Sequence, residues 1–486
     1  MEQRNLVLAF ALSLIVLLGW NVLFPPAQPQ SPPPQPAAAA KPSNVAPAGQ
    51  AAAPPVATAL PPSVAIAPEP PAASPATTGT GKSFELANDV IRLQINEKGW
   101  FTNVRLKAYK ESLDPDAAEV AVVNVGDEHS VYINSGVIGA RQDTPFSLVK
   151  QTAASLILRS RLNGGQSWQK EISLKQGSYI VDVKDTIING AGMRLYRQAV
   201  ERNPDKKLNT RYEHLGPTGL LNGKLVEPDY DDLDEKGAQR QASRGGWTAI
   251  MSRYFIAAIV TSPEKNYSFY FKGEGGAYQA GLIDDGVVQG KDAFFHTSLF
   301  LGPKALSVLE TAQAELERSV NYGWFAPIAK PMHSYLGWLY GYLGNYGFCI
   351  IVLVLCLKVL FFYPTQKSYE SMAAMRKLQP EMNRLKELYG DDKQKMGQEV
   401  MQLYKRHKVN PMGGCVPMVI QIPVFFALYK VLLMSIELRH APFIGWITDM
   451  SVQDPYYVLP LLMGASMLVQ QRLNPQPADK MQAKVM

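Results

Sequence analysis

Hydrophobic and polar residues are arranged in three ways along this 486-residue chain: unbroken apolar runs, short alternation, and helical repeats. Residues 6–24 are an apolar run of 19 behind a head containing Arg4. The run is long for a signal core, and FPPAQP follows it where a small-residue cleavage site would stand, which predicts an uncleaved anchor. The basic head places its N-terminus in the cytoplasm. From residue 83 to about 302 the pattern becomes short alternating runs, such as VIRLQIN at 90–96, YIVDVKDTII at 179–188 and YSFYFKG at 267–273. Turn clusters at Asn163-Gly164-Gly165 and Asn189-Gly190 separate them, so the segment reads as a large antiparallel β-sandwich.

The remainder is helical. Residues 305–320 read as one amphipathic helix, and 324–346, crowded with Trp and Tyr, as a helix lying at the membrane–water interface. Residues 347–363 are apolar except for Lys358 and span ~26 Å, nearly a hydrocarbon thickness, with Pro364 expected to stop the helix. Residues 366–408 carry ten Lys or Arg against six Asp or Glu. Their apolar positions (Met375, Leu378, Met382, Leu385, then Met396, Val400, Leu403) predict a helical hairpin turning at Gly390-Asp391-Asp392. A second spanning segment, 416–436, is unusual in containing Pro417, Gln421, Pro423 and Lys430. A loop at 437–455 leads to an apolar run of only 14 residues at 456–469, which needs a thin bilayer or partner helices.

Composition adds compartment and excludes chemistry. Residues 25–81 are rich in Pro and Ala and nearly free of charge, and so form a disordered tether. Cys349, Cys356 and Cys415 all lie in or beside apolar spans, so no disulfide framework holds the sandwich. The acidic run at 227–235 lacks EF-hand spacing and reads as a solvated loop. His129, His214 and His296 are scattered, and no nucleophile, metal or glycine-rich phosphate motif is present. No catalytic constellation is therefore read in the sandwich. The net charge of +6 becomes informative only by location. The basic hairpin and tail fall on one side and the loop with a single Arg on the other, which places the sandwich outside and the hairpin inside.

The run QPEMNRLKELYGDDKQKMGQEVMQLYKRHKVNPMGGCVPMVIQIPVFFALYKVLL, with SVQDPYYVLP at 451–460, closely resembles the YidC membrane protein insertases of Gram-negative bacteria. Anchor, tether, sandwich, interfacial helix and spans follow in the same order. The resemblance implies a multi-domain inner-membrane protein: a periplasmic all-β sandwich plus an α-helical transmembrane core with a cytoplasmic helical hairpin. The layout is an anchor at 1–24, a linker at 25–81, the sandwich at 82–322, the interfacial helix at 323–346, spans at 347–363, 416–436 and 456–471, the hairpin at 364–415, the loop at 437–455 and a tail at 472–486. It further implies a non-enzyme, without cofactor or metal, that inserts nascent transmembrane segments through a water-filled groove. Lys358 and Val354 fall in that groove from one helix, and Cys415, Met418, Gln421, Ile422, Pro423 and Phe425 from another. Implied partners are nascent membrane-protein clients, the Sec translocon, ribosome and targeting factors at the hairpin, and the lipid bilayer, with no specific nucleic acid. Two departures stand out: family members usually carry Arg where this chain has Lys358, and they continue past the position of Met486 with two further spans and a basic tail, so truncation is expected there.

Two alternatives accompany the lysines. Lys358 is six residues before Pro364, near enough to snorkel to the headgroups instead of hydrating a groove. Lys430 is half a helical rotation from Gln421 and is expected to reach outward towards Glu437. The rival functions are a transporter or channel subunit, for which no inverted repeat is visible, and a membrane-anchored carbohydrate-binding protein acting through the sandwich.

Overall fold

The computed structural model describes residues 81–473 except 127–128, 209–212, 313, 390–391 and 411–415. The expected anchor, nearly all of the tether, Cys415 and the tail beyond 473 lie outside the described residues.

Seventeen strands appear among the described residues, and their pairing resolves into two layers. One runs from the hairpin Ser83–Ala87 and Ile91–Asn96 through Phe101–Lys110, Ser130–Val137 and Leu195–Arg202 to Ala277–Asp284. The other runs from Ser147–Gln151 through Ser155–Arg161, Ser167–Leu174 and Ile180–Ile188 to Asp292–Pro303. Every pairing is antiparallel, the arrangement that commonly buries one face of a sheet and leaves the other to water. In Ser167–Leu174 every second residue is buried, Trp168, Lys170, Ile172 and Leu174, so the pleat alone selects the core.

Two strands belong to both layers. Phe255–Glu274 pairs with Asp292–Pro303 through its first residues and with Ala277–Asp284 through its last. Its neighbour Gln239–Met251 follows it and shifts register between Arg244 and Gly246. The corner needs glycine. Gly245 has φ +64°, and a Cβ there would lie 2.7 Å from the Pro263 Cα; Gly246 has φ +110°, and a Cβ there would lie 2.2 Å from the Leu220 carbonyl oxygen.

The outer face of the second layer continues into the helical half. Trp247, Met251, Ile256 and Phe300 share an apolar cluster with Leu309, Leu316, Ala329, Leu336, Leu353, Ala427 and Val431. The segment expected as one helix at 305–320 is instead a short helix α2, Leu306–Thr311, and a 3₁₀ turn at Leu316–Ser319, with Glu315 left-handed between them. The acidic run is likewise more ordered than expected. It forms helix α1, Tyr230–Lys236, because Tyr230 and Leu233 find apolar burial and Asp234 accepts from Lys206 Nζ (2.5 Å) and Tyr278.

The helices are α3 (Ala326–Leu343), α4 (Tyr346–Leu360), α5 (Phe362–Lys377), α6 (Gln379–Tyr389), α7 (Lys393–Arg406), α8 (Val416–Met434) and α9 (Val458–Leu473). Among the described residues no single helix is long and apolar enough to cross a membrane, whereas α4 and α5, joined at a 59° bend, pass that test together. Pro364 does not stop the apolar helix, as its sequence suggested. The break is at Phe361, and Pro364 falls in the first turn of α5, where a missing N–H breaks no bond. Helices α6 and α7 meet through a Tyr404 hydroxyl against Met382 Sδ (3.0 Å), with Leu403 of α7 and Leu378, just before α6, buried. Asp392 caps α7 by accepting from Lys395 N (3.0 Å).

Candidate functional site

Helix α4 begins where the Asn345 side chain accepts from Phe348 N (3.2 Å), its amide held by the Pro442 and Phe443 carbonyls. Gly347 is required at this end: a Cβ would lie 2.0 Å from the Phe443 ring. The helix thus starts locked against the loop before α9, and its other end carries Lys358, its only charge, to the α5 bend.

Between α4, α5 and α8 lies a cavity of about 1080 Å³. Of the sequence-predicted residues, Val354, Lys358, Gln421, Ile422 and Phe425 line it. Pro423, inside α8, is not among the lining residues, although Pro417 is. The Met418 side chain and Cys415 lie outside the described residues. The cavity also contains polar groups that the sequence reading left out: Thr365, Gln366 and Ser368 from α5, and Gln470 from α9. A helix ending at Pro364 puts the first three in the hairpin, whereas the break at Phe361 brings them to the cavity. Gln470 lay just beyond the apolar run at 456–469, and spacing gave no reason to link it to residues a hundred positions earlier.

The wall is mostly hydrocarbon, and the polar groups sit at the end where α4 bends into α5. This arrangement places Lys358 among neutral polar groups while leaving an apolar face along Val354, Ile422 and Phe425. Such a wall can accept a hydrophobic segment and keep its polar flank hydrated. Nothing in it assembles a nucleophile with a base, and among the described residues no group of His, Cys, Asp and Glu could hold a metal. Outward from the cavity, Leu355, Val359, Leu360 and Val419 are exposed, as are Leu461, Leu462, Met463 and Met467 along α9. Apolar exposure on this scale marks a lipid- or protein-facing surface.

Lys430 is in α8 but outside the cavity. It does not make the expected reach to Glu437: its Nζ donates to the Asn321 carbonyl (3.3 Å), while Glu437 lies 3.8 Å from His333 Nε2. Asn321 in turn donates to Glu227 (2.9 Å), linking α8 to the sandwich. Arg439, in the loop after α8, makes a second link by donating to the carbonyls of Lys110 (2.6 Å) and Glu111 (3.2 Å).

The sandwich core contains a charged group that sequence reasoning missed. Lys170 Nζ lies 3.0 Å from Asp185 Oδ1, and Arg197 bonds to Asp185 Oδ2 from the opposite layer. All three side chains are excluded from water. Burial pushes Lys170 down to about 8 despite Asp185 beside it. Burial acts to raise Asp185, but the two cations outweigh it and hold the carboxyl below its ordinary value. The only signal in the sequence is charge at core-facing positions of strands, which period-two alternation does not separate from a solvent-facing charge.

A family model described as "60Kd inner membrane protein" matches residues 338–486, and one described as "YidC periplasmic domain" matches 83–335. A protein of Nitrosococcus oceani called membrane protein insertase YidC is 36% identical over 100% of this chain and 92% of its own length. One of Geotalea daltonii with the same name is 34% identical over 100% of this chain and 92% of its own. The match to the Magnetococcus marinus protein, at 43% identity, is shorter and covers 66% of this chain and 60% of that one. Among solved structures, a galactose mutarotase related enzyme from Lactobacillus acidophilus aligns with 46% of this chain at 10% identity and a TM-score of 0.30, too low to carry an argument. With two matched models that together run from the sandwich to the last residue, and relatives aligned along its whole length, the chain belongs to the YidC family of membrane protein insertases.

Proposed function

We propose that this chain inserts nascent transmembrane segments into the bacterial inner membrane through the cavity between α4, α5 and α8. Family membership supports insertion in the inner membrane with a periplasmic sandwich domain, and membrane proteins as clients. The observation that carries the finer reading is the cavity itself, in which one lysine and four or more neutral polar groups face an apolar wall. An entering segment slides its apolar side along Val354, Ile422 and Phe425. Its polar flank stays hydrated near Lys358, so that it need not cross a full slab of hydrocarbon.

In this reading α4 and α8 are spans, with Lys430 and Arg439 at the periplasmic end and the α6–α7 hairpin in the cytoplasm. Helix α9 is a third span, and the chain is multi-pass with a cytoplasmic N-terminus. The basic hairpin is the surface offered to ribosome and targeting factors, and the insertase works alone or beside the Sec translocon.

Lys358 tests the mechanism. Lys358→Glu should impair clients with acidic translocated segments more than neutral ones, and Lys358→Arg should be tolerated. The measurement is client-by-client insertion at equal protein levels, paired with thiol labelling of Lys358→Cys by a water-soluble reagent in a background lacking Cys349, Cys356 and Cys415. Wild-type insertion of every client by Lys358→Leu, together with an unreactive thiol, would remove this residue from the groove.

A further inference from the structure

A second cavity, of about 360 Å³, opens in the sandwich, far in sequence from every groove residue. Its volume lies at the lower end of small-ligand sites. Its walls include Trp100, Trp168 and Tyr196, the hydroxyl of Ser135, and the rim cations Lys98 and Arg141. No Asp or Glu is among its lining residues. Lys98 and Arg141 are both exposed and in no ion pair among the described residues.

The buried charges lie directly behind this wall. Lys170 Nζ donates to Ser135 Oγ (2.9 Å), leaving the Ser135 hydroxyl proton to donate elsewhere. Trp168 donates from Nε1 to Asp185 Oδ1 (2.7 Å). Lys170 and Arg197 are two cations against the single carboxylate of Asp185, and Asp284, the other acid felt by Arg197, is itself bonded to Lys265. The buried group therefore carries one positive charge in excess, and Arg197 Nε and Nη1 have no hydrogen-bond acceptor. An excess buried charge is costly unless something compensates it. A cleft lined by one sign of charge over a low-dielectric wall also concentrates counter-ions.

We propose that this cavity is a binding site for a small organic anion of about monosaccharide size. Lys98 and Arg141 pair with its charged group at the mouth, the Ser135 hydroxyl donates to it from the wall, and the excess charge at Lys170 and Arg197 raises the attraction from behind. The site is independent of the groove and adds a periplasmic ligand to a domain to which insertion itself assigns none.

The test is isothermal titration calorimetry on the full chain in nanodiscs, using glucuronate, citrate and inorganic phosphate as anionic probes and glucose as the neutral control. At least one anion should bind saturably while glucose does not, and affinity should fall as salt rises. Arg141→Ala should weaken binding about tenfold, the loss of one charge-assisted hydrogen bond. Lys98→Glu with Arg141→Glu should abolish it, and both positions are exposed, so folding is retained. Silence from all three anions, glucose binding as well as glucuronate, or binding unchanged in the charge-reversed variant would each overturn the assignment. Client insertion should be unaltered by these two substitutions, which separates failure here from failure of the groove.

Discussion

Asp185→Asn isolates the energetics of the sandwich core. The carboxylate is fully buried and accepts from Lys170 (3.0 Å), Arg197 and Trp168 (2.7 Å). Asparagine keeps the shape and one acceptor but removes the charge, leaving two buried cations unneutralised. Breaking a buried pair from one side typically costs about 3–5 kcal/mol. Lys170 escapes part of that cost by releasing its proton, whereas Arg197 cannot, which sets the expectation near 4 kcal/mol by the same rule. Against a typical stability of about 5–15 kcal/mol this is severe, and for a domain of this size it lowers the melting temperature by roughly 10 °C. The assay is urea-dependent pulse proteolysis of the sandwich in the full chain, read on gels beside Trp fluorescence. Lys170→Met, Asp185→Leu and Arg197→Met made together should recover much of the loss, because a packed apolar substitute carries no desolvation penalty. A loss under about 1 kcal/mol for Asp185→Asn would refute the reasoning, since the cations would then have another source of neutralisation.

The same assay in wild type should show stability rising with pH between about 8 and 10.5, because Lys170 and Lys304, both pushed down to about 8 by burial, have released protons in the folded state that the unfolded chain still holds. Above about 10 the trend should reverse as Tyr109 and Tyr267, pushed up to about 12 by burial, keep protons that the unfolded chain releases. Protease outside spheroplasts should cut between residues 25 and 81 and spare the α6–α7 hairpin; cleavage at Lys405 from outside would invert the topology. Arg439→Ala removes the hydrogen bonds to Lys110 and Glu111 and should loosen the sandwich on the helices by about 1 kcal/mol, measured as faster amide exchange at residues 108–112; unchanged exchange would show that the loop is not what holds them. Deleting the sandwich to residue 301 while keeping α3 should leave most insertion activity, since every groove residue follows residue 353, and complete loss with the protein stably present would place the function in the sandwich.

Much of this protein was legible from the chain because its strongest signals are local. Period-two alternation marked the strands and an apolar run with one lysine marked α4, while the turn expected at Gly390-Asp391-Asp392 falls mostly outside the described residues. The candidate groove was half legible for the same reason: Lys358 and Gln421 stand out against hydrocarbon, as polar residues must when their neighbours avoid water. What tertiary structure decided were relations between distant residues. Whether Pro364 ends a helix depends on the bend at Phe361, not on proline itself, and that bend brings Thr365, Gln366 and Ser368 into the cavity. Lys430 reaches Asn321 instead of Glu437 because the sandwich is docked there, which helical spacing cannot express. The corner at Gly245 and Pro263 passes two strands between layers, and face-to-face packing of those layers sets Arg197 of one sheet against Asp185 of the other. Each of these is a charged residue at an ordinary strand position. Their meaning lies in a pairing across the core, and long-range packing, with no repeat in the sequence, creates it.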